Sequence, residues 1–111
     1  GIMGNSSKLI NEIKKSSDQS NEKVWELPLW DEYAKEIKSK IADVKNLGRS
    51  RLAGTIAGGV FLKEFVNDTP WVHMDIAGTA WGPKEPEYLP KNGATGVAVR
   101  LIYNLIENRI K

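Results

Sequence analysis

The sequence has 111 residues, of which 41% are hydrophobic and 27% charged, and its formal net charge is +2. With no cysteine and a single histidine, it excludes a disulfide framework, a thiolate metal site, a cysteine nucleophile and a histidine-rich metal centre. No apolar run reaches the ~18 residues of a membrane span, and the small net charge does not by itself indicate nucleic acid or membrane partners. We expect one domain or part of one, in a soluble cytoplasmic chain.

The first half of the sequence predicts two helices and one strand. Apolar residues recur at helical spacing over 5–15, and the wholly polar residues 16–23 are typical of a solvated connection. Residues 24–27 predict a short strand or an extended segment, which ends at Pro28. An amphipathic helix is then predicted over 30–41, with a stripe formed by Tyr33, Ala34, Ile37 and Ile41.

The second half predicts a helix over 51–66, whose glycines indicate close packing against another element. A strand buried on both faces follows over 71–77, then a long loop over 78–95 and a helix over 96–110. The predicted order is α, β, α, α, β, α. Because a typical sheet has about five or six strands, the pattern predicts an incomplete α/β layer that needs strands from elsewhere.

His73 and Asp75 are the first candidates for chemistry, because alternation places both on one face of the predicted strand. A hydrogen-bonded structural pair is our interpretation, since catalysis or metal binding needs a third group, and the sequence contains no HExxH motif or carboxylate cluster. No serine has a base partner at a recognisable spacing, and Gly58-Gly59 lacks the following residues of a phosphate loop.

A basic stretch over 35–51 is the only local feature that could attract nucleic acid. Its cations are Lys35, Lys38, Lys40, Lys45, Arg49 and Arg51. No aromatic residue is interleaved to stack bases, so a solvated helix face with its exit loop is the simpler interpretation. Trp81, in the predicted loop, is the tryptophan we expect to meet a ligand.

Four ordered blocks carry a resemblance to a known family. They read DVKNLG at 43–48, AGTIAGGVFLKEFV at 53–66, WVHMDIAGTAW at 71–81, and YLPK at 88–91 with GATGV at 93–97. In this order they closely resemble the C-terminal end of the leucyl aminopeptidase (cytosol aminopeptidase) family, and the likeness extends upstream through VWELP at 24–28 to about residue 1. It corresponds to the last part of the family's catalytic domain.

The resemblance implies a metallopeptidase that removes N-terminal residues from peptides with two divalent metal ions, manganese or zinc. It also implies a mixed sheet with helices on both faces and a homo-hexamer. The family's metal ligands and catalytic residues lie in a Val-Gly-Lys-Gly type motif and an Asn-Thr-Asp-Ala-Glu-Gly-Arg motif, and this sequence contains neither. We therefore assign no catalytic residue, metal ligand or bound cofactor to this chain.

The residues that the resemblance does carry over are those lining the pocket for the substrate's N-terminal side chain, the S1 pocket. These are Ala77 and Ala80, with Thr79, Trp81 and Pro83 as neighbours. Small residues there leave space for a leucine-like side chain. Some family members have methionine at the position of Ala80.

The sequence is thus interpreted as a C-terminal fragment, residues 1–111, of a cytosolic leucyl aminopeptidase, with the catalytic motifs and N-terminal domain absent. We expect an incomplete three-layer α/β/α piece of a mixed-sheet catalytic domain, supplying scaffold and part of the S1 pocket and inactive alone. The alternative is a non-enzymatic structural or DNA-binding module that uses the stretch 35–51, since some bacterial members of this family also bind DNA.

Overall fold

The computed structural model describes residues 1–48, 53–82 and 91–111. Its elements are β1 (Ile2–Gly4), α1 (Ser7–Ser20), a 3-10 helix (Asp31–Ile37), α2 (Gly54–Lys63), β2 (Val72–Met74) and α3 (Val99–Ile110). Helices together with a small two-stranded sheet make this a mixed α/β chain. Contacts divide it into two compact units: residues 1–10 with 25–74, and residues 11–24 with 75–111. Within the described ranges no helix is long and apolar enough to cross a membrane.

The centre of the first unit is β1, a strand that the sequence analysis did not predict. It pairs antiparallel with β2, Met3 lying opposite His73. On its other side the Ile2 amide donates to the Trp25 carbonyl (2.9 Å), and the Leu27 amide donates to the Ile2 carbonyl (2.8 Å). Of the two structures predicted for 24–27, a short strand or an extended segment, the chain adopts the extended segment, with a single bridge from Glu26 to Ile2. Ile2 and Met3 are fully buried because neighbours flank β1 on both sides.

β2 is shorter and more open than predicted. The expected strand over 71–77, buried on both faces, is wrong: β2 spans Val72–Met74, and each of its residues is half-buried. The chain turns directly afterwards, because the Asp75 carboxylate accepts a hydrogen bond from the Ala77 amide (3.0 Å). Such hydrogen bonds between a side chain and a nearby amide compete with the hydrogen bonds between strands, and they thereby terminate a strand.

The predicted helix over 30–41 is instead a short 3-10 helix that ends at Ile37. The Ser39 hydroxyl accepts from the amides of Ile41 (3.2 Å) and Ala42 (3.1 Å), which stops the helical ladder. The chain then folds back, and the Lys45 amide donates to the Ile37 carbonyl (2.9 Å). Ile41, expected on the apolar stripe, is consequently exposed.

α2 packs against the 3-10 helix and β1, and its glycines divide into two kinds. Gly59 is buried, and a Cβ built on it would lie 2.9 Å from Cγ of Met3. The predicted close approach is confirmed at this glycine. A Cβ at Gly54 or Gly58 would meet nothing within 4 Å. Between the two helices, Lys63 Nζ lies 2.9 Å from Asp31 Oδ1.

In the second unit, helix α1 continues through the segment predicted to be a solvated connection. Ser16 and Ser17 are buried, at 0% and 5% exposure, so that prediction is wrong. The Ser17 hydroxyl donates to the Glu22 carbonyl (2.7 Å), and Asn108 Nδ2 donates to Ser16 Oγ (3.4 Å) and to Gln19 Oε1 (2.6 Å). Because these hydroxyls find partners, the polar residues can be buried.

α3 lies beside this part of α1, and ionic contacts join the two helices. Arg109 Nε donates to Glu12 Oε2 (2.9 Å) near the end of α3. At its start, Glu22 Oε2 accepts from the Leu101 amide (2.9 Å), which places a carboxylate at the positive end of the helix dipole. Leu101 is fully buried. The predicted helix over 96–110 is confirmed, with its first turn taken up by the loop before Val99.

Candidate functional site

The four described pocket residues predicted from the sequence, Ala77, Thr79, Ala80 and Trp81, all lie in residues 75–82, which we call the pocket segment. It follows β2 and begins with the Asp75 turn. A second turn follows, in which the Thr79 amide (2.9 Å) and hydroxyl (3.2 Å) both donate to the Ile76 carbonyl. Pro83, the remaining expected neighbour, lies outside the described residues.

The pocket segment is held by residues 93–95, which come from the other end of the predicted loop and which we call the clamp. The Thr95 amide donates to the Ala80 carbonyl (3.0 Å), and the Thr95 hydroxyl donates to the Thr79 carbonyl (2.8 Å). Trp81 forms an antiparallel bridge with Ala94. The Gly82 amide donates to the Gly93 carbonyl (2.9 Å). This ladder fixes the backbone on both sides of Ala80.

The backbone favours glycine at two positions of this ladder. Gly82 has φ of +51° and Gly93 has φ of +126°. Residues with a Cβ are rarely found in this region, which glycine enters without steric cost. The two glycines therefore let the paired segments turn where the ladder ends.

The pairing between the clamp and the pocket segment was not predicted from the sequence, although both segments belong to blocks of the family resemblance. One block of the family resemblance is GATGV at 93–97. Nothing in the sequence predicts that this block pairs with residues 79–82, because the pairing depends on hydrogen bonds across a loop. The sequence feature that could have indicated this pairing is the position of two glycine-containing blocks, one on each side of that loop. Thr95 is the functional candidate added by the structure.

The side chains of the pocket segment form an open surface on this chain. Ala77 and Thr79 are exposed, Ala80 is half-buried, and the Trp81 indole is 72% exposed. Two alanines, with small methyl side chains, are thus close in sequence to one tryptophan. Hydrogen bonds hold the backbone of this segment.

The described residues do not fit a metal centre. Across 1–48, 53–82 and 91–111, no three histidine, cysteine, aspartate or glutamate side chains come together in a way that could hold a metal ion. β2 ends at Met74, so the strand alternation that placed His73 and Asp75 on one face does not extend to Asp75. The His73 ring stacks on Trp71, with centroids 6.3 Å apart.

The described part of the basic stretch 35–51 also contains two acidic side chains, Glu36 and Asp43. Lys35, Lys38 and Lys40 are exposed. The 3-10 helix also carries Asp31, Glu32 and Glu36, which reduce the local positive potential that a nucleic-acid backbone would need. Arg49 and Arg51 lie outside the described residues.

Comparison with known proteins identifies close relatives of the whole chain. A profile described as "Cytosol aminopeptidase family, catalytic domain" matches residues 1–103. A "Probable cytosol aminopeptidase" from Geobacter sp. (strain M21) is 52% identical over 108 residues, which are 97% of this chain and 22% of that protein. A protein with the same name from Cenarchaeum symbiosum (strain A) is 45% identical, over 98% of this chain and 23% of that protein. Another, from Clostridium perfringens (strain 13 / Type A), is 43% identical, over 99% of this chain and 22% of that protein. The chain therefore spans about a fifth of the length of these curated relatives.

Proposed function

The chain belongs to the cytosol aminopeptidase family, and from this we propose that it is the C-terminal portion of the catalytic domain of a leucyl aminopeptidase, a cytoplasmic enzyme that removes N-terminal residues from peptides. The observation that carries the proposal is the profile match over residues 1–103 combined with coverage of only 22% of the Geobacter relative. In this proposal residues 1–111 supply scaffold and part of the S1 pocket.

The metal chemistry belongs to parts of the enzyme other than this chain. The parent is proposed to use two divalent ions, Mn²⁺ or Zn²⁺, and such a centre supplies Lewis acidity and an activated water. The described residues offer no group of three ligands. The sequence also lacks both motifs in which the family's ligands lie. No residue of this chain is therefore given a role in the hydrolytic step.

What this chain contributes is the shape of the pocket for the substrate's first side chain. Ala77 and Ala80 leave room for a leucine-like group, and Trp81 borders that space. The hydrogen bonds from Thr95 to the carbonyls of Thr79 and Ala80 hold the backbone in place, so the pocket shape does not have to be ordered by the substrate. Thr95 is in this sense a positioning residue.

The architecture proposed for the parent is a three-layer α/β/α domain in a homo-hexamer. Support comes from β1 and β2, three residues each, which are too few strands for an ordinary sheet. Large apolar side chains that remain exposed on this chain, among them Trp25, Phe65 and Ile110, also fit a piece of a larger domain.

The direct test is an activity assay on the purified 111-residue chain. With leucine p-nitroanilide and added Mn²⁺, Zn²⁺ or Co²⁺, we expect no turnover above the buffer blank, while the full-length Geobacter relative serves as the positive control. Turnover that persists through chromatography removing host enzymes would overturn the proposal that this chain is inactive alone.

A further inference from the structure

Helix α3 has two apolar faces, and among the described residues of the second unit only one of these faces is covered. On the inner face Leu101 is fully buried, and the helix is joined to α1 by the contacts of Asn108 and Arg109. On the opposite side four large apolar residues are exposed, which we call the outer face of α3. They are Val99 (65%), Tyr103 (66%), Ile106 (55%) and Ile110 (79%).

These four residues form one continuous stripe. Their spacings are four, three and four residues, and at ~100° per residue they fall within about 60° of arc. Such spacing is that of a seam along which a helix packs on another element. A helix that is apolar on both sides is normally buried on both sides. The outer face therefore has the pattern of an interior surface.

The comparisons with known proteins indicate which part of the enzyme packs against the outer face of α3. The chain matches a catalytic domain, and more than three quarters of the Geobacter relative lies outside the match. A chain of that length holds ample apolar surface to cover one stripe of about 16.5 Å in rise, at 1.5 Å per residue from Val99 to Ile110. We propose that the outer face of α3 is the surface on which the rest of the aminopeptidase catalytic domain docks. This inference rests on the proposed function.

The test is reconstitution from two polypeptides. The Geobacter relative, lacking the segment that matches this chain, is co-expressed with the tagged 111-residue chain, and the two are purified through the tag. We expect the truncated relative to copurify. The double variant Tyr103→Asp/Ile106→Asp should recover at least ~10-fold less of it, because an unpaired carboxylate buried in an apolar contact costs more than the 1.4 kcal/mol that corresponds to tenfold.

A matched control separates the stripe from a general effect on the helix. Lys111→Asp also introduces a carboxylate, at the exposed residue directly after the end of α3 and outside the stripe, and should copurify as the unsubstituted chain does. Far-UV circular dichroism of each isolated chain should be unchanged by the substitutions, since the altered side chains are exposed. Unaltered copurification of the double variant, or equal losses for Lys111→Asp, would overturn the inference.

The two proposals can fail separately. If the pieces copurify through this face but the complex hydrolyses no leucine p-nitroanilide, the inference holds and the proposed function fails. If the pieces do not copurify, the inference fails. A second copy of this chain is the other possible occupant of the outer face, and light scattering on the chain alone tests for it. A dimer that Tyr103→Asp/Ile106→Asp dissociates would assign the face to a second copy and would overturn docking of the domain.

Discussion

Ala80 is the residue at which pocket volume can be tested. Its carbonyl accepts from the Thr95 amide, so its backbone is fixed while its small side chain leaves space. In the reconstituted aminopeptidase, Ala80→Met should lower kcat/KM for leucine p-nitroanilide relative to alanine p-nitroanilide by about tenfold or more, because a few extra heavy atoms fill room that the larger side chain needs.

The comparison with a second alanine makes this prediction specific. Ala42→Met adds the same side chain at an exposed position remote from the pocket segment in sequence, and should leave the ratio of the two substrates unchanged. An unaltered ratio in Ala80→Met would show that Ala80 does not line the S1 pocket.

The Asp31–Lys63 pair gives the chain a defined response to acid. The hydrogen bond and charge of Lys63 lower the pKa of Asp31 below its usual value of 3.8. Because the folded-state pKa is the lower one, the pair's contribution to stability is present above the unfolded-state pKa. It is lost as the pH falls through the folded-state pKa. The pair lies at the surface, so its contribution to overall stability is small.

This pKa can be measured directly by NMR titration of the Asp31 carboxyl carbon. Lys63→Gln removes the charge and should raise the pKa of Asp31 towards 3.8. Lys45→Gln is the control, because it removes a lysine that does not pair with Asp31, and it should leave the midpoint where it is. Identical midpoints in the unsubstituted chain and Lys63→Gln would refute the pairing.

Among the elements, α2 offers a matched pair of adjacent glycines. Gly59→Ala introduces a methyl group 2.9 Å from Cγ of the buried Met3, so the Met3 side chain, β1 or α2 must shift. We expect a loss of about 1–3 kcal/mol in the free energy of unfolding. Gly58→Ala meets nothing within 4 Å and should instead gain up to about 1 kcal/mol from higher helix propensity.

Urea denaturation of the two variants beside the unsubstituted chain tests this difference. Opposite signs at neighbouring positions would establish that packing against β1 governs the loss at Gly59, because both substitutions make the same chemical change in the same helix. A gain in stability from Gly59→Ala would mean that β1 does not approach α2 as closely as the structure has it.

Elements with periodic apolar residues were predictable from sequence, and those held by polar or long-range contacts were not. α3 and the central part of α2 follow the helical pattern and were predicted. The continuation of α1 through Ser16 and Ser17 was not, because burial of these serines depends on Glu22 and on Asn108, about 90 residues further along the chain. The early end of the 3-10 helix depends on one hydroxyl, that of Ser39.

At the scale of the whole molecule, the family was predictable because four sequence blocks keep their order and spacing. The mixed α/β class was also predictable. The small sheet was not, since β1 has only three residues, the last of which is Gly4, and therefore no alternating pattern to detect. The four described pocket residues stay a prediction. Their hydrogen bonds with residues 93–95 form only in the folded backbone, and no local sequence pattern specifies them.

The register of the sheet also bears on how this unit forms during translation. Met3 pairs with His73, so β1 leaves the ribosome about 70 residues before its partner strand exists. At 5–20 residues per second this delay lasts roughly 4–14 s. For that time the most deeply buried apolar side chains of the first unit, Ile2 and Met3, are without the strand that covers them. A nascent chain stalled before residue 72 would present this exposed segment to chaperones.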